Sequence, residues 1–192
     1  MNLQYISLKI CKIIIHLLKL LYMNHLPPFI KYPLLENDNV LLREIDKNDI
    51  PSIKSITTYN RVLAETNEIA WKYAQKIKDD YIKGQSVHWG IIDKKSNQII
   101  GTCGYYRGFE NNRGELGCVL LPEYRGKGLM KEALQLAICF GYSNLHLEEV
   151  FALTNSNNEQ AINLLNSLDF KFTKKIDELD IEVVYKKAIT KW

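Results

Sequence analysis

Residues 115–131, ELGCVLLPEYRGKGLMK, constrain this chain more than any other stretch, because two backbone periodicities meet inside them. Up to Leu121 the residues are largely apolar and read as a strand over Gly114–Leu121, ended by Pro122, which has no N–H to give a ladder. From Gly126 to Tyr142 the apolar residues Leu129, Ala133, Leu134, Leu136, Ala137, Ile138 and Phe140 follow the spacing of a helix with one broad buried face. A strand must therefore pass into a helix N-terminus through a basic turn containing Gly126 and Gly128. Glycine lets the backbone come close to a ligand, and the first N–H groups of a helix have no partner within it. With Arg125, Lys127 and Lys131 around it, the turn reads as an anion cradle, where the helix dipole favours a phosphate by about 0.3–1 kcal/mol. The same residues also describe a plain strand-to-helix connection with solvated basic side chains. The usual nucleotide loops are spelled differently: Leu129 follows Gly128, so GxxxxGK[ST] is absent, as is GxGxxG.

The remaining pattern is mixed. Val40–Ile45 reads as a strand, Asp46 or Asn48 as the N-cap of a helix to Thr57, and Asn67–Lys83 as a second helix. Ser86–Asp93 and Gln98–Phe109 are β-rich runs joined by Lys94–Asn97, which is the chemistry of a hairpin turn. After the central strand and helix come a strand at Glu148–Leu153, a short helix at Asn158–Ser167, and closing strands at Phe170–Lys175 and Ile181–Lys187. Helices inserted among antiparallel strands make the fold class α+β. At 192 residues, 46% of them hydrophobic, the chain suits one domain with its own core.

Other classes of function find little support. The 25 Lys and Arg against 22 Asp and Glu leave a net charge of +3, too mild for a nucleic-acid partner. Cys11, Cys103, Cys118 and Cys139 are widely spaced, without a CxxC pair, and read as free thiols in a reducing cytoplasm rather than as a disulfide framework or zinc site. His16, His25, His88 and His146 are scattered and HExxH is absent, so no metal is expected. Leu3–Tyr22 is almost wholly apolar, with Lys9, Lys12, His16 and Lys19 on one helical stripe. Its lysines argue against a transmembrane span. Three readings stay open: an amphipathic helix on a membrane surface, a helix packed on the domain or a dimer partner, or translation that starts at Met23. His25–Leu35, with Pro27, Pro28 and Pro33, reads as a linker. The expected division is residues 1–33 as N-terminal helix and linker, and 34–192 as the functional domain.

Arg-Gly-Lys-Gly-Leu-Met at 125–130 resembles the signature Gln/Arg-x-x-Gly-x-Gly/Ala of the GNAT superfamily of N-acetyltransferases, with Met130 at its last place. LLREI at 41–45 resembles the opening strand of the ribosomal-protein N-terminal acetyltransferase (RimJ/RimL-type) branch. IIGTCGY at 99–105 resembles its middle hairpin, and ELGCVLLPEYRGKG its central strand and loop. Asn158-x-x-Ala161-x-x-Leu164-Leu165-x-x-Leu168-x-Phe170 is similar to the family's Asn-x-x-Ser/Ala…Leu-Gly-Phe segment, with Asp169 at the Gly. The resemblance spans residues 34–187.

The resemblance implies a GNAT fold, with a mixed, mostly antiparallel central sheet flanked by helices and splayed at a cofactor cleft. It implies transfer of an acetyl group from acetyl-CoA, as co-substrate, to a primary amine. Arg125, Gly126, Lys127, Gly128, Leu129, Met130 and Lys131 would hold the pyrophosphate, and backbone groups of Cys118, Val119 and Leu120 the pantetheine. Asn158 would bond the pantetheine arm, and amides near Val119 or Leu120 would face the charge developing on the carbonyl oxygen. Glu115 is the candidate base. From the residues alone, Asn158 reads equally as a helix N-cap, and Glu115 as a strand residue in a salt bridge. Leu165 stands where many members carry a Tyr acid, so no general acid is named. Acceptor choice falls to the two early helices and to loops 57–67 and 109–113, with Tyr59, Trp71, Trp89 and Tyr106 as pocket walls or core. The branch favours a protein N-terminus, and small amines remain alternatives. The competing readings are an acyl-CoA-binding module without turnover and a membrane-surface adaptor. The chain is expected to be a monomer or a homodimer, with Ile181–Tyr185 as a candidate apolar face.

Overall fold

The computed structural model describes residues 25–175 and 182–188. The basic helix expected over residues 3–22 lies outside them, as does Ile181. In chain order the elements are β1 (Leu35–Glu36), β2 (Val40–Arg43), α1 (Ile50–Ile53), β3 (Thr58–Tyr59), β4 (Val62–Leu63), α2 (Asn67–Ile82), β5 (Val87–Asp93) and β6 (Gln98–Tyr106). Then follow β7 (Arg113–Leu120), α3 (Leu129–Ser143), β8 (Glu149–Asn155), α4 (Glu159–Ser167), β9 (Lys171–Lys175) and β10 (Glu182–Ala188). Eight strands form one open sheet in the order β1-β2-β5-β6-β7-β8-β10-β9, and β3 pairs with β4 alone. Every neighbouring pair in the large sheet is antiparallel except β7 with β8. The α+β class expected from the pattern is therefore the observed one.

Local chemistry accounts for the departures from the expected elements. Asp46 is the N-cap: its carboxylate accepts from Asn48 N–H at 2.6 Å, and Asp49 reciprocates on Asp46 N–H at 2.9 Å. Yet the single helix expected to Thr57 is one α-turn between two 3-10 turns. The Thr57 hydroxyl donates to Ile53 O at 2.8 Å, an acceptor that a continuing helix would give to a backbone N–H. The β3–β4 hairpin was not foreseen; its turn residues Asn60 and Arg61 both have positive φ, the two-residue loop that usually carries Asn-Gly.

The segment expected as a linker is packed rather than free. Phe29 N–H donates to Tyr81 Oη at 2.8 Å, Tyr32 Oη to His88 O at 2.7 Å, and Trp89 Nε1 to Pro33 O at 2.8 Å. Prolines leave this stretch short of its own hydrogen bonds, so side chains of α2 and β5 complete them. Phe29, Tyr32 and Leu35 also lie against the main core.

Strand alternation divides the apolar residues between the two faces of the sheet. Val40, Leu42, Trp89, Ile91, Cys103 and Tyr105 meet Ala133, Leu134, Ala137 and Phe140 of α3. Ile92 and Ile99 meet Ile53 of α1, and Ile50 meets Ala70 of α2. The central strands are thus covered on both sides, and what α1 and α2 cover becomes one wall of the site.

Candidate active site

The parallel pairing of β7 with β8 covers three positions, Arg113 with Glu149, Gly114 with Val150 and Glu115 with Phe151, and then stops. Beyond it β7 continues to Leu120 and β8 to Asn155 without pairing to each other, so the sheet opens into a wedge. Leu121 N–H donates to Ile100 O at 2.9 Å, which means that odd-numbered residues of β7 turn their peptide groups to β6 and even-numbered ones turn theirs to the wedge. Cys118 and Leu120 therefore face it. Val119 does not: its carbonyl lies against Gly101 of β6, and its side chain lines the cavity described below. The expectation that three consecutive residues would offer backbone groups is corrected to two, because a strand presents alternate residues to each neighbour. Cys118 is solvent-exposed at the cleft, yet the protein massed around it pushes its thiol up to about 12.

At the end of β7 the chain turns through Pro122–Tyr124 and reaches α3, whose N-cap is Gly128 with φ of 80°. Gly126 has φ of 74°, and a Cβ on either glycine would meet nothing within 4 Å. No side chain caps this helix. Its first-turn acid, Glu132, is held instead by Asn37 Nδ2 at 2.8 Å and Asn39 Nδ2 at 3.0 Å. The first amides of α3 thus point into open space framed by exposed Arg125 and Lys127. Arg125 Nε donates to Leu120 O at 3.2 Å, which fixes the loop to the strand, and Lys127 Nζ lies 5.0 Å from the centroid of the Tyr124 ring. Leu129 and Met130 are half-buried against the core, so their side chains anchor the helix while their amides stay at its end. The cradle fits a pyrophosphate: positive, unobstructed and rich in donors.

A cavity of about 510 Å³ adjoins the wedge and is lined from both diverging strands, by Glu115 to Val119 of β7 and Leu153 of β8. Its opposite wall comes from α1, the turn after it and α2. Glu115 faces this cavity with its side chain 12% exposed, in an ion pair with Arg107 at 3.1 Å. Of the two readings of Glu115 left open by the sequence, the salt-bridged strand residue is the one observed, and it sits at the edge of the wedge.

His88 and Tyr106 lie side by side on the same wall, with His88 Nε2 2.7 Å from Tyr106 Oη. The Tyr106 ring occupies the space a Cβ on Gly117 would take, and His88 that of a Cβ on Gly104. Burial lowers His88 to about 4, so the ring is neutral at physiological pH, and its Nδ1 has no hydrogen-bond partner. Burial also raises Tyr106 well above the ordinary phenol range. Neither residue belongs to a sequence motif. Two glycines directly opposite each other on β6 and β7, paired with a His on β5, were the available signal, and it needs the register to be seen.

The remaining expected residues are dispersed. Asn158 caps α4, accepting from Ala161 N–H at 3.1 Å. Asp169 adopts φ of 63° after that helix, a left-handed conformation that Asp tolerates better than most residues. Leu165 is buried in the core. Of the four aromatics, Tyr59 and Tyr106 line the cavity. Trp89 is core, and Trp71 packs in the cluster around Ile50. Loop 57–61 lines the cavity and loop 109–113 does not.

Comparison with known proteins bears directly on this arrangement. The family model described as acetyltransferase (GNAT) domain matches residues 39–171. An uncharacterized N-acetyltransferase p20 of Bacillus licheniformis is 33% identical over 138 residues, 71% of this chain and 75% of that protein. The spermidine N(1)-acetyltransferase of Escherichia coli K12 is 26% identical over 161 residues, 79% of this chain and 83% of that one. Among solved structures, a ribosomal L7/L12 α-N-protein acetyltransferase in complex with coenzyme A superposes with a TM-score of 0.71 at 14% identity, covering 82% of this chain and 98% of the other.

Proposed function

The chain belongs to the GNAT acetyltransferase family, and on that premise we propose how its residues carry acetyl transfer from acetyl-CoA to a primary amine. The amides of residues 126–131, with Arg125, Lys127 and Lys131, hold the pyrophosphate at the N-terminus of α3. Cys118 and Leu120 offer backbone groups to the pantetheine arm along the open side of β7, and Asn158, the N-cap of α4, bonds that arm. Acetyl-CoA supplies an activated acyl carbon and a thiol leaving group with a pKa of about 8.5. Glu115 takes the proton from the attacking amine, directly or through a water. The Leu120 amide is the donor available to the charge that develops on the carbonyl oxygen, since Val119 turns to β6.

The observation that carries this reading is the coincidence of three features on one strand. β7 carries Glu115, parts from β8 immediately after it while staying paired with β6, and leads through a short turn to an uncapped, glycine-framed helix N-terminus. The acceptor enters through the cavity beside the wedge. A protein N-terminal α-amine is the acceptor we propose, in keeping with the ribosomal-protein acetyltransferase among the structural relatives. We place the functional domain at residues 34–192, with residues 29–33 packed on it, in the cytoplasm, as monomer or homodimer, with membrane-surface contact through residues 3–22. Among the described residues no helix is long and apolar enough to cross a membrane. Amine-dependent release of free thiol from acetyl-CoA tests the reading. Coenzyme binding without release against a broad amine panel would instead make the protein an acyl-CoA-binding module.

A further inference from the structure

We infer that the acceptor is a primary amine bearing an apolar, uncharged substituent beside the reacting nitrogen, and that the wall built by α1 and α2 selects it. This rests on the acetyl-transfer reading above. The cavity has two unlike walls. The strand wall carries Glu115 with Arg107, and His88 with Tyr106. The opposite wall presents Ile45 after β2, Ile56 in the turn after α1, and Ala74 and Ile77 of α2, all half-buried, with buried Ile50 and Ile53 of α1 beside them.

Two hydroxyls beside that apolar wall are turned to backbone carbonyls. Thr57 Oγ1 donates to Ile53 O at 2.8 Å, and Ser86 Oγ to Ile77 O at 3.2 Å. The charged lining residues are Asp80 and Glu115 against Arg61 and Arg107, so the cavity is neutral overall, His88 being uncharged. Asp80 accepts from Tyr59 Oη at 3.3 Å and lies 3.8 Å from Lys83 Nζ.

A polyamine such as spermidine brings two ammonium groups beyond the one that reacts. With Glu115 acting as base, Asp80 is the single lining carboxylate left to meet them, and the other ammonium would be desolvated against isoleucine. An aspartyl substituent meets the same wall and gains no donor from it. An aliphatic substituent, by contrast, exchanges water for apolar contact, at about 25 cal/mol per Å² buried.

The test measures kcat/KM by thiol release from the full chain, with leucinamide and hexylamine set against spermidine and aspartic acid amide. The apolar pair should exceed the charged pair by about tenfold or more. Ile77→Glu and, on a separate element, Ile56→Glu should each lower turnover of the apolar pair and raise that of spermidine while leaving acetyl-CoA affinity unchanged. Preference of the intact chain for spermidine or aspartic acid amide would overturn the inference. If no amine is turned over, calorimetric titration with hexylamine decides: binding lost in both variants upholds the apolar wall, and no binding to the intact chain refutes it. Failure of the intact chain to bind acetyl-CoA would strike the acetyl-transfer reading itself, with hexylamine binding still deciding the pocket.

Discussion

The ring of Tyr106 fills the space that a Cβ on Gly117 would need, and its hydroxyl is held 2.7 Å from His88 Nε2. Two strands thus share one side chain's worth of room, and the cavity wall depends on a missing methyl group.

Gly117→Ala should displace the Tyr106 ring and break its bond to His88, which already has one buried nitrogen unpartnered. The expected cost is about 1–3 kcal/mol of stability, from overpacking and a second unsatisfied polar atom. Denaturant unfolding measures it. A variant as stable as the parent, with amine turnover intact, would show that the ring moves freely.

Glu115→Gln removes the proposed base and keeps the shape. Amine-dependent turnover should fall about 10²–10⁴-fold at neutral pH, with acetyl-CoA affinity unchanged. Steady-state kinetics beside calorimetry separates the two; turnover within a few-fold of the parent would assign Glu115 to structure alone.

Gly128→Asp puts a negative charge where the proposed pyrophosphate sits, and Gly128→Asn supplies nearly the same shape without the charge. Both must adopt φ of 80°, at about 1–2 kcal/mol of backbone strain, less for these two residues than for most. Calorimetric titration with acetyl-CoA should show at least tenfold weaker binding for the Asp variant than for the Asn variant, about 1.4 kcal/mol or more. Equal affinities would remove the cradle from the proposed site.

Stability should fall as pH drops from about 6.5 to about 4 through His88. Its folded-state value lies below the unfolded one, so the unfolded chain binds the proton first in that window, and stability is full above it. The contribution is about 3 kcal/mol at most. His88→Gln, able to keep a bond to Tyr106, should flatten the difference in unfolding free energy between pH 7 and pH 4.5 relative to the parent. Identical pH slopes would mean that the ring is solvated.

Asp49→Ala should destabilise the start of the domain by about 2–4 kcal/mol. It removes two bonds to the Arg43 guanidinium, at 2.7 and 2.8 Å, and the reciprocal bond to Asp46 N–H. Thermal unfolding of this variant beside Asp46→Ala, which removes the outer half of the cap, apportions the loss.

By itself the sequence determined what local chemistry can determine. Pro122, two glycines and a helical period after them specify a strand entering a helix N-terminus, and Lys94–Asn97 between two β-rich runs specifies a hairpin. Both rest on φ/ψ preferences within a few residues, so both are legible without partners. Only the tertiary structure decided where β7 parts from β8, because pairing is a relation between strands separated by a whole helix. It likewise decided that Val119 turns to β6, since alternation has a phase that register alone sets. The apolar wall was hidden for the same reason: Ile45, Ile56 and Ile77 are ordinary core residues in sequence, and only the tertiary structure brings them to one cavity with residues of β7 and β8.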